Sequence, residues 1–115
     1  METILQRLTE LEEVHDAILV GKDGLIVSGM LRTDEEEMIG AISATAFGSL
    51  SSYTGQLNHG EAQHVILETK LGAVHMQEAG DLILVVITRG RSNLGRVRLE
   101  MKKACRQLNQ LVASY

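Results

Sequence analysis

The spacing of apolar positions along the chain alternates between a helical period and an extended one. From Glu2 to Val14, Leu5, Leu8, Leu11 and Val14 recur at threes and Ile4 widens the stripe, which predicts an amphipathic helix. Ala17 to Gly21 and Leu25 to Ser28 read as a hairpin. Its first strand holds Ile18, Leu19 and Val20 in an unbroken run, so both of its faces are expected to be covered. Between the strands stands Lys22-Asp23-Gly24, a tight-turn signal because glycine takes positive φ without steric penalty. Gly29 is expected to close the second strand.

Thr33 to Leu57 predicts a long central helix. Thr33 with Glu36 fits a capping box, and Asp34 with Glu37 is the alternative register; either puts glutamates in the first turn, where the helix dipole favours them. The middle is crowded with Gly, Ala, Ser and Thr, which helix propensity alone does not select. Ile39, Ile42, Ala46, Leu50, Tyr53 and Leu57 recur at threes and fours and are expected to face the core. Gly40, Ala44, Phe47 and Ser51 form a second stripe, expected to be exposed and to let another helix approach closely. Its expected partner is a second copy of the chain. Gly55 is expected to end the helix or begin its fraying.

Three strands and a helix complete the pattern. His64 to Lys70 puts Val65, Leu67 and Thr69 on one side and His64, Ile66 and Glu68 on the other, polar enough for a sheet edge. Ala73 to Glu78 follows, then Leu82 to Thr88, whose sequence LILVVIT is apolar on both faces and therefore central. From a cap at Asn93 the last helix runs to Ala113, with Leu94, Val97, Met101, Ala104, Cys105, Leu108 and Val112 as its apolar stripe.

Composition narrows what such a chain does. At 115 residues with 44% apolar content, it is long enough for one domain, residues 1–115, with a core of its own. A single cysteine excludes an internal disulfide and a cysteine-rich metal site, and favours the cytoplasm as compartment. No signal-like segment is read in Met1 to Val14, and the apolar run Leu82 to Ile87 is too short to span a bilayer, so no integral membrane association is expected. Charge is segregated: residues 1–37 hold ten acids and three bases, whereas residues 89–115 hold seven bases and one acid. That separation orients the molecule electrostatically. Nucleic acid is not an expected partner, because the net charge is −4 and no aromatic platform accompanies Arg89, Arg91, Arg96 and Arg98.

Candidate chemistry is sparse. His15, His59, His64 and His75 fall in no metal or triad spacing, and the hairpin glycines lack the Lys-Ser/Thr ending of a phosphate-binding loop. Cys105, within the last apolar stripe, reads as a buried small hydrophobe. No catalytic residue, metal or cofactor is expected, and the chain does not read as an enzyme.

The order of elements is helix, hairpin, long helix, three strands, helix. That order resembles the Roadblock/LC7 family, together with AILVGKDGLIVSG (Ala17 to Gly29), the small-residue central helix, DLILVVIT (Asp81 to Thr88) and NLGRVRLEMKKA (Asn93 to Ala104). The resemblance covers essentially the whole chain. It implies a profilin-like α/β (α+β) domain of order α-β-β-α-β-β-β-α. In it, a five-stranded antiparallel sheet lies between one central helix and the two terminal helices. It further implies a homodimer joined through the third strand and the central helix, whose interface here would comprise Gly40, Ala44, Phe47, Ser51, Val65, Leu67 and Thr69. Family members regulate or scaffold Ras-like small GTPases or serve as dynein-associated light chains, and MglB-like members activate GTP hydrolysis by an MglA-type GTPase. The implied function is therefore binding of such a GTPase, with a purely structural dimeric adaptor as the alternative. Arg32 stands near the start of the central helix, but nothing in the sequence selects it as a catalytic arginine.

Overall fold

The unbroken apolar runs of the sequence become the middle of a sheet. The computed structural model describes residues 1–30, 35–91 and 93–113, with the side chains of 30, 112 and 113 excepted. The described residues form α1 (Glu2–Thr9), β1 (Val14–Gly21), β2 (Ile26–Met30), α2 (Glu36–Gln56), β3 (His64–Thr69), β4 (Gly72–Ala79), β5 (Leu82–Arg89) and α3 (Leu94–Ala113). Their strands make one five-stranded sheet in the order β2-β1-β5-β4-β3, and every neighbouring pair is antiparallel. β5, the most apolar strand, is central, and β2 and β3 are the edges.

Alternation along the strands builds two cores. Leu19, Leu84 and Val86 face a layer made by Ile4, Leu5 and Leu8 of α1 with Val97, Met101, Ala104, Cys105 and Leu108 of α3. On the opposite face, Ile18, Val20, Met76, Ile83 and Val85 pack against Ala44 and Phe47 of α2. Ile18, Leu19 and Val20 are wholly buried, as their unbroken run predicts. Each such side chain contributes roughly 1.5–3 kcal/mol through removal from water.

Local chemistry sets the turns. Asp23 Oδ1 accepts from Leu25 N at 3.0 Å, and Gly24 takes φ +91°. Asn93 caps α3, its Oδ1 accepting from Arg96 N at 3.0 Å. Gly72 begins β4 where a Cβ would collide with the Thr88 carbonyl oxygen and crowd Arg89 Cα.

Several boundaries differ from the expectation. α1 stops at Thr9, and Val14 belongs to β1. Glu10, Glu12 and Glu13 fall at the negative end of the helix dipole, and the chain leaves through turns from Leu11 N to Leu8 O and from Val14 N to Leu11 O. Gly29 lies within β2, opposite Ile18. α2 begins at Glu36 with Glu35 as its N-cap residue, whereas Arg32, Thr33 and Asp34 lie outside the described residues. Its exit is at Asn58, in the left-handed region at φ +60°, two residues beyond the last helical position and not at Gly55.

The largest correction concerns the faces of α2. Gly40, Ser43, Ala44 and Phe47 are the buried residues of this helix, while Ile42 and Tyr53 are 60% and 62% exposed. The small-residue stripe lies against the sheet because the first hairpin comes so near. A Cβ on Gly40 would meet Ile26 Cδ1 at 2.9 Å, and one on Gly24 would meet Ala41 Cα at 3.3 Å. The close approach expected of a second copy is made here by the chain's own hairpin and sheet.

Candidate functional site

Two surfaces carry features that the fold itself does not require. The first is the outward face of α2, where Met38, Ile42 and Tyr53 are more than half exposed and Thr45 and Ser49 complete the stripe. These positions recur at threes and fours, so they share one side of the helix. Ala41, Gly48 and Ser52 are exposed beside them, and a Cβ on Gly48 would meet nothing within 4 Å. The outward face is thus apolar and smooth. Among its residues 36–56, α2 carries no lysine or arginine.

β3 is an edge strand, and its Val65 lines one cavity with Tyr53 and Thr54 at the C-terminal end of α2. Val65 is half-buried against the α2-side core, Leu67 is 46% exposed and Thr69 is exposed. The helix–sheet packing of α1, α2 and α3 falls mainly on β1, β2 and β4, which leaves β3 thinly covered. Of the residues expected at a dimer interface, Leu67 and Thr69 are at the surface. Gly40, Ala44 and Phe47 are interior, and half-buried Ser51 accepts from Ala62 N through its Oγ at 3.2 Å. Met38 and Ile42 emerge as the exposed apolar positions instead. The periodicity of α2 contained two apolar stripes, and only the closeness of the hairpin decides which of them turns inward.

The second surface lies where β3 begins. β3 and β4 pair so that His64 opposes Gln77 and Ile66 opposes His75. The two histidines, eleven apart in sequence, are therefore diagonal neighbours on one face of the sheet. Their rings meet edge to face, with centroids 5.8 Å apart. Counting back across the Lys70-Leu71 turn would have revealed the pair. His64 shares a 3.2 Å hydrogen bond between Nδ1 and Gln77 Oε1, and its Nε2 is buried without a partner among the described residues. His75 is wholly buried, and neither ring nitrogen has a partner among the described residues.

Burial, with repulsion from His64, lowers the His75 pKa to about 4. The His64 pKa is lowered by burial too; its bond to Gln77 opposes the shift, and the positive charges of Arg98 and Lys102 add to it. Around this corner a cavity of about 740 Å³ is lined by Tyr53 and Thr54 of α2, His59 and Glu61 of the following loop, and Arg98 and Lys102 of α3.

Elsewhere, several charges are paired. Arg96 pairs with Glu13 at 3.4 Å, Lys103 with Glu100 at 3.3 Å and Lys22 with Glu78 at 3.3 Å. His15 Nδ1 lies 2.7 Å from buried Asp16 Oδ2. Cys105 is buried, and burial raises its thiol pKa to about 11, which suits packing and not nucleophilic attack. No group of three or more His, Cys, Asp or Glu side chains able to hold a metal occurs among the described residues. No helix among them is long and apolar enough to cross a membrane.

An antiparallel sheet with one helix on one face and both terminal helices on the other is the profilin-like architecture. Schizosaccharomyces pombe profilin superposes with a TM-score of 0.72 over 96% of this chain and 97% of its own, at 11% identity, a likeness of fold alone. The Roadblock/LC7 domain model matches residues 1–88, and the chain belongs to that family. Uncharacterized protein MJ1340 of Methanocaldococcus jannaschii is 30% identical over 112 residues, 96% of this chain and 98% of that one. Myxococcus xanthus MglB has the same fold at a TM-score of 0.93 and 25% identity, over 99% of this chain and 95% of the other.

Proposed function

We propose that the protein is a homodimeric regulator or scaffold that binds a Ras-like, MglA-type small GTPase. The observation that carries this reading is the outward face of α2, with Met38, Ile42 and Tyr53 exposed, together with the open edge of β3. Exposed apolar side chains and an open strand edge both favour association. Pairing of two β3 strands would continue the sheet across the dimer, and Leu67 and Thr69 would then flank the seam formed by the outer α2 faces. The family membership and the likeness to MglB support a GTPase as the further partner.

Because α2 has no lysine or arginine, its face has no cation to insert into a nucleotide site. Any effect of that face on hydrolysis comes from holding the switch segments of the GTPase in a productive arrangement. The same observation favours, as a second reading, a dimeric adaptor that leaves turnover unchanged.

Mass measurement at micromolar concentration, paired with GTP turnover of a co-encoded small GTPase, tests both readings. A dimer that binds the GTPase in a nucleotide-dependent way and accelerates hydrolysis supports the regulator. Binding without acceleration supports the adaptor. A monomer, or a dimer that binds no candidate GTPase, overturns the proposal.

A further inference from the structure

α3 distributes its cations unevenly. On one flank Arg96 and Lys103 are satisfied by Glu13 and Glu100. On the other flank, Arg98 and Lys102, one helical turn apart, make no ion pair or side-chain hydrogen bond with the described residues. Both line the cavity at the start of β3, and both are close enough to His64 to repel its charged form. His64 also lines this cavity, and its Nε2 is buried without a hydrogen-bond partner among the described residues. One carboxylate, Glu61, faces these groups.

We propose that this cavity is an oxyanion-binding site, in which Arg98, Lys102 and His64 together hold phosphate or carboxylate oxygens. The guanidinium fork and the ammonium supply charge-assisted hydrogen bonds; because His64 donates its Nδ1–H to Gln77 Oε1, its Nε2 carries a proton only in the imidazolium, which then adds a third positive charge to the site. The volume, about 740 Å³, accommodates a small organic anion and not merely an ion, with Tyr53 and Leu50 offering it an apolar wall. Glu61 competes for the same cations, so a ligand carrying two or more negative charges is favoured over a singly charged one. The site shares Tyr53 with the outward face of α2, but its cations come from α3 and it does not depend on the GTPase reading.

Linkage gives the site a direction with pH. An anion between Arg98 and Lys102 replaces repulsion at His64 by attraction, so binding raises the affinity of His64 for a proton and protonation tightens binding. The groups facing His64 are His75 from β4, Arg98 and Lys102 from α3, His59 and Glu61 from the loop, and Tyr53 from α2.

Histidine imidazole resonances of the full chain, titrated at constant ionic strength with pyrophosphate and separately with succinate, test the proposal. His64 is expected to shift saturably, more tightly at pH 6 than at pH 7.5, while His15 at the far side of the sheet stays put. Response to pyrophosphate alone supports a phosphate-bearing ligand, and response to both anions supports either oxyanion source. The Arg98→Ala/Lys102→Ala double variant, altered only at exposed positions, is expected to weaken binding by about tenfold or more. An unmoved His64 with both anions, or an equal response in the double variant, overturns the assignment.

Discussion

The two long helices solve opposite problems. α3 buries Val97, Met101, Ala104, Cys105 and Leu108 and turns its charged residues outward, so sequence pattern and packing agree. α2 buries Gly40, Ser43, Ala44 and Phe47 and leaves Met38, Ile42 and Tyr53 in water. For α3 the core of the monomer accounts for the apolar stripe. For α2 it explains one side, and the other is the surface on which the proposed association rests. A helix that buries glycine, serine and alanine while leaving Met38 and Ile42 in water has traded segregation for closeness to its sheet.

Truncating the inner sides tests whether both helices are core elements despite this difference. Phe47→Ala is expected to lower the unfolding free energy by about 3–5 kcal/mol, and Met101→Ala by about 2–5 kcal/mol, measured by chemical denaturation. A small loss for Phe47→Ala would mean that α2 is not packed as described.

Acid sharpens the contrast on the α3 side of the sheet, where His75 is buried. Its folded pKa, about 4, lies below the ordinary 6.5, so the folded state binds fewer protons there than the unfolded chain. The associated stability is fully present above pH 6.5 and is lost as pH falls towards 4, a total of about 3 kcal/mol. His75→Leu is expected to flatten that part of the stability–pH curve. An unchanged slope would place the acid sensitivity elsewhere.

Outer-face variants then separate the helices directly. Ile42→Asp is expected to weaken the proposed dimer about 100-fold in sedimentation analysis by setting a charge in its apolar seam. The matching change on α3, Leu99→Asp, also at a half-exposed position, is expected to leave the mass unchanged and stability within about 0.5 kcal/mol. Equal effects at the two positions would remove the distinction on which the interface assignment stands.

Much of this architecture was legible before any coordinate. Ile18-Leu19-Val20 and LILVVIT announced strands covered twice, Asp23-Gly24 a turn, and Asn93 a cap, because each depends on neighbours close in sequence. The faces of α2 were not legible. Ile39, Ile42, Ala46, Leu50, Tyr53 and Leu57 satisfy helical periodicity as well as the stripe that is buried, and the choice depends on contact with Ile26 and Gly24 in another element. The end of α1 was missed because a tolerable apolar spacing continues through Leu11 to Val14, while the glutamates at the carboxyl end oppose it. The His64–His75 contact depends on strand register, which hairpin counting supplies once β3 and β4 are both recognised.

Gly72 carries a consequence for what substitutions this chain tolerates. The obstacle there is the backbone of β5 itself, which cannot step aside as a side-chain tip can. In a saturation library position 72 should therefore tolerate glycine alone, with every other residue depleted for the same reason. Gly48 and Gly55, whose Cβ positions open onto empty space within a helix, should accept alanine freely. One residue type is thus obligatory at a strand contact and replaceable at two places a short distance away.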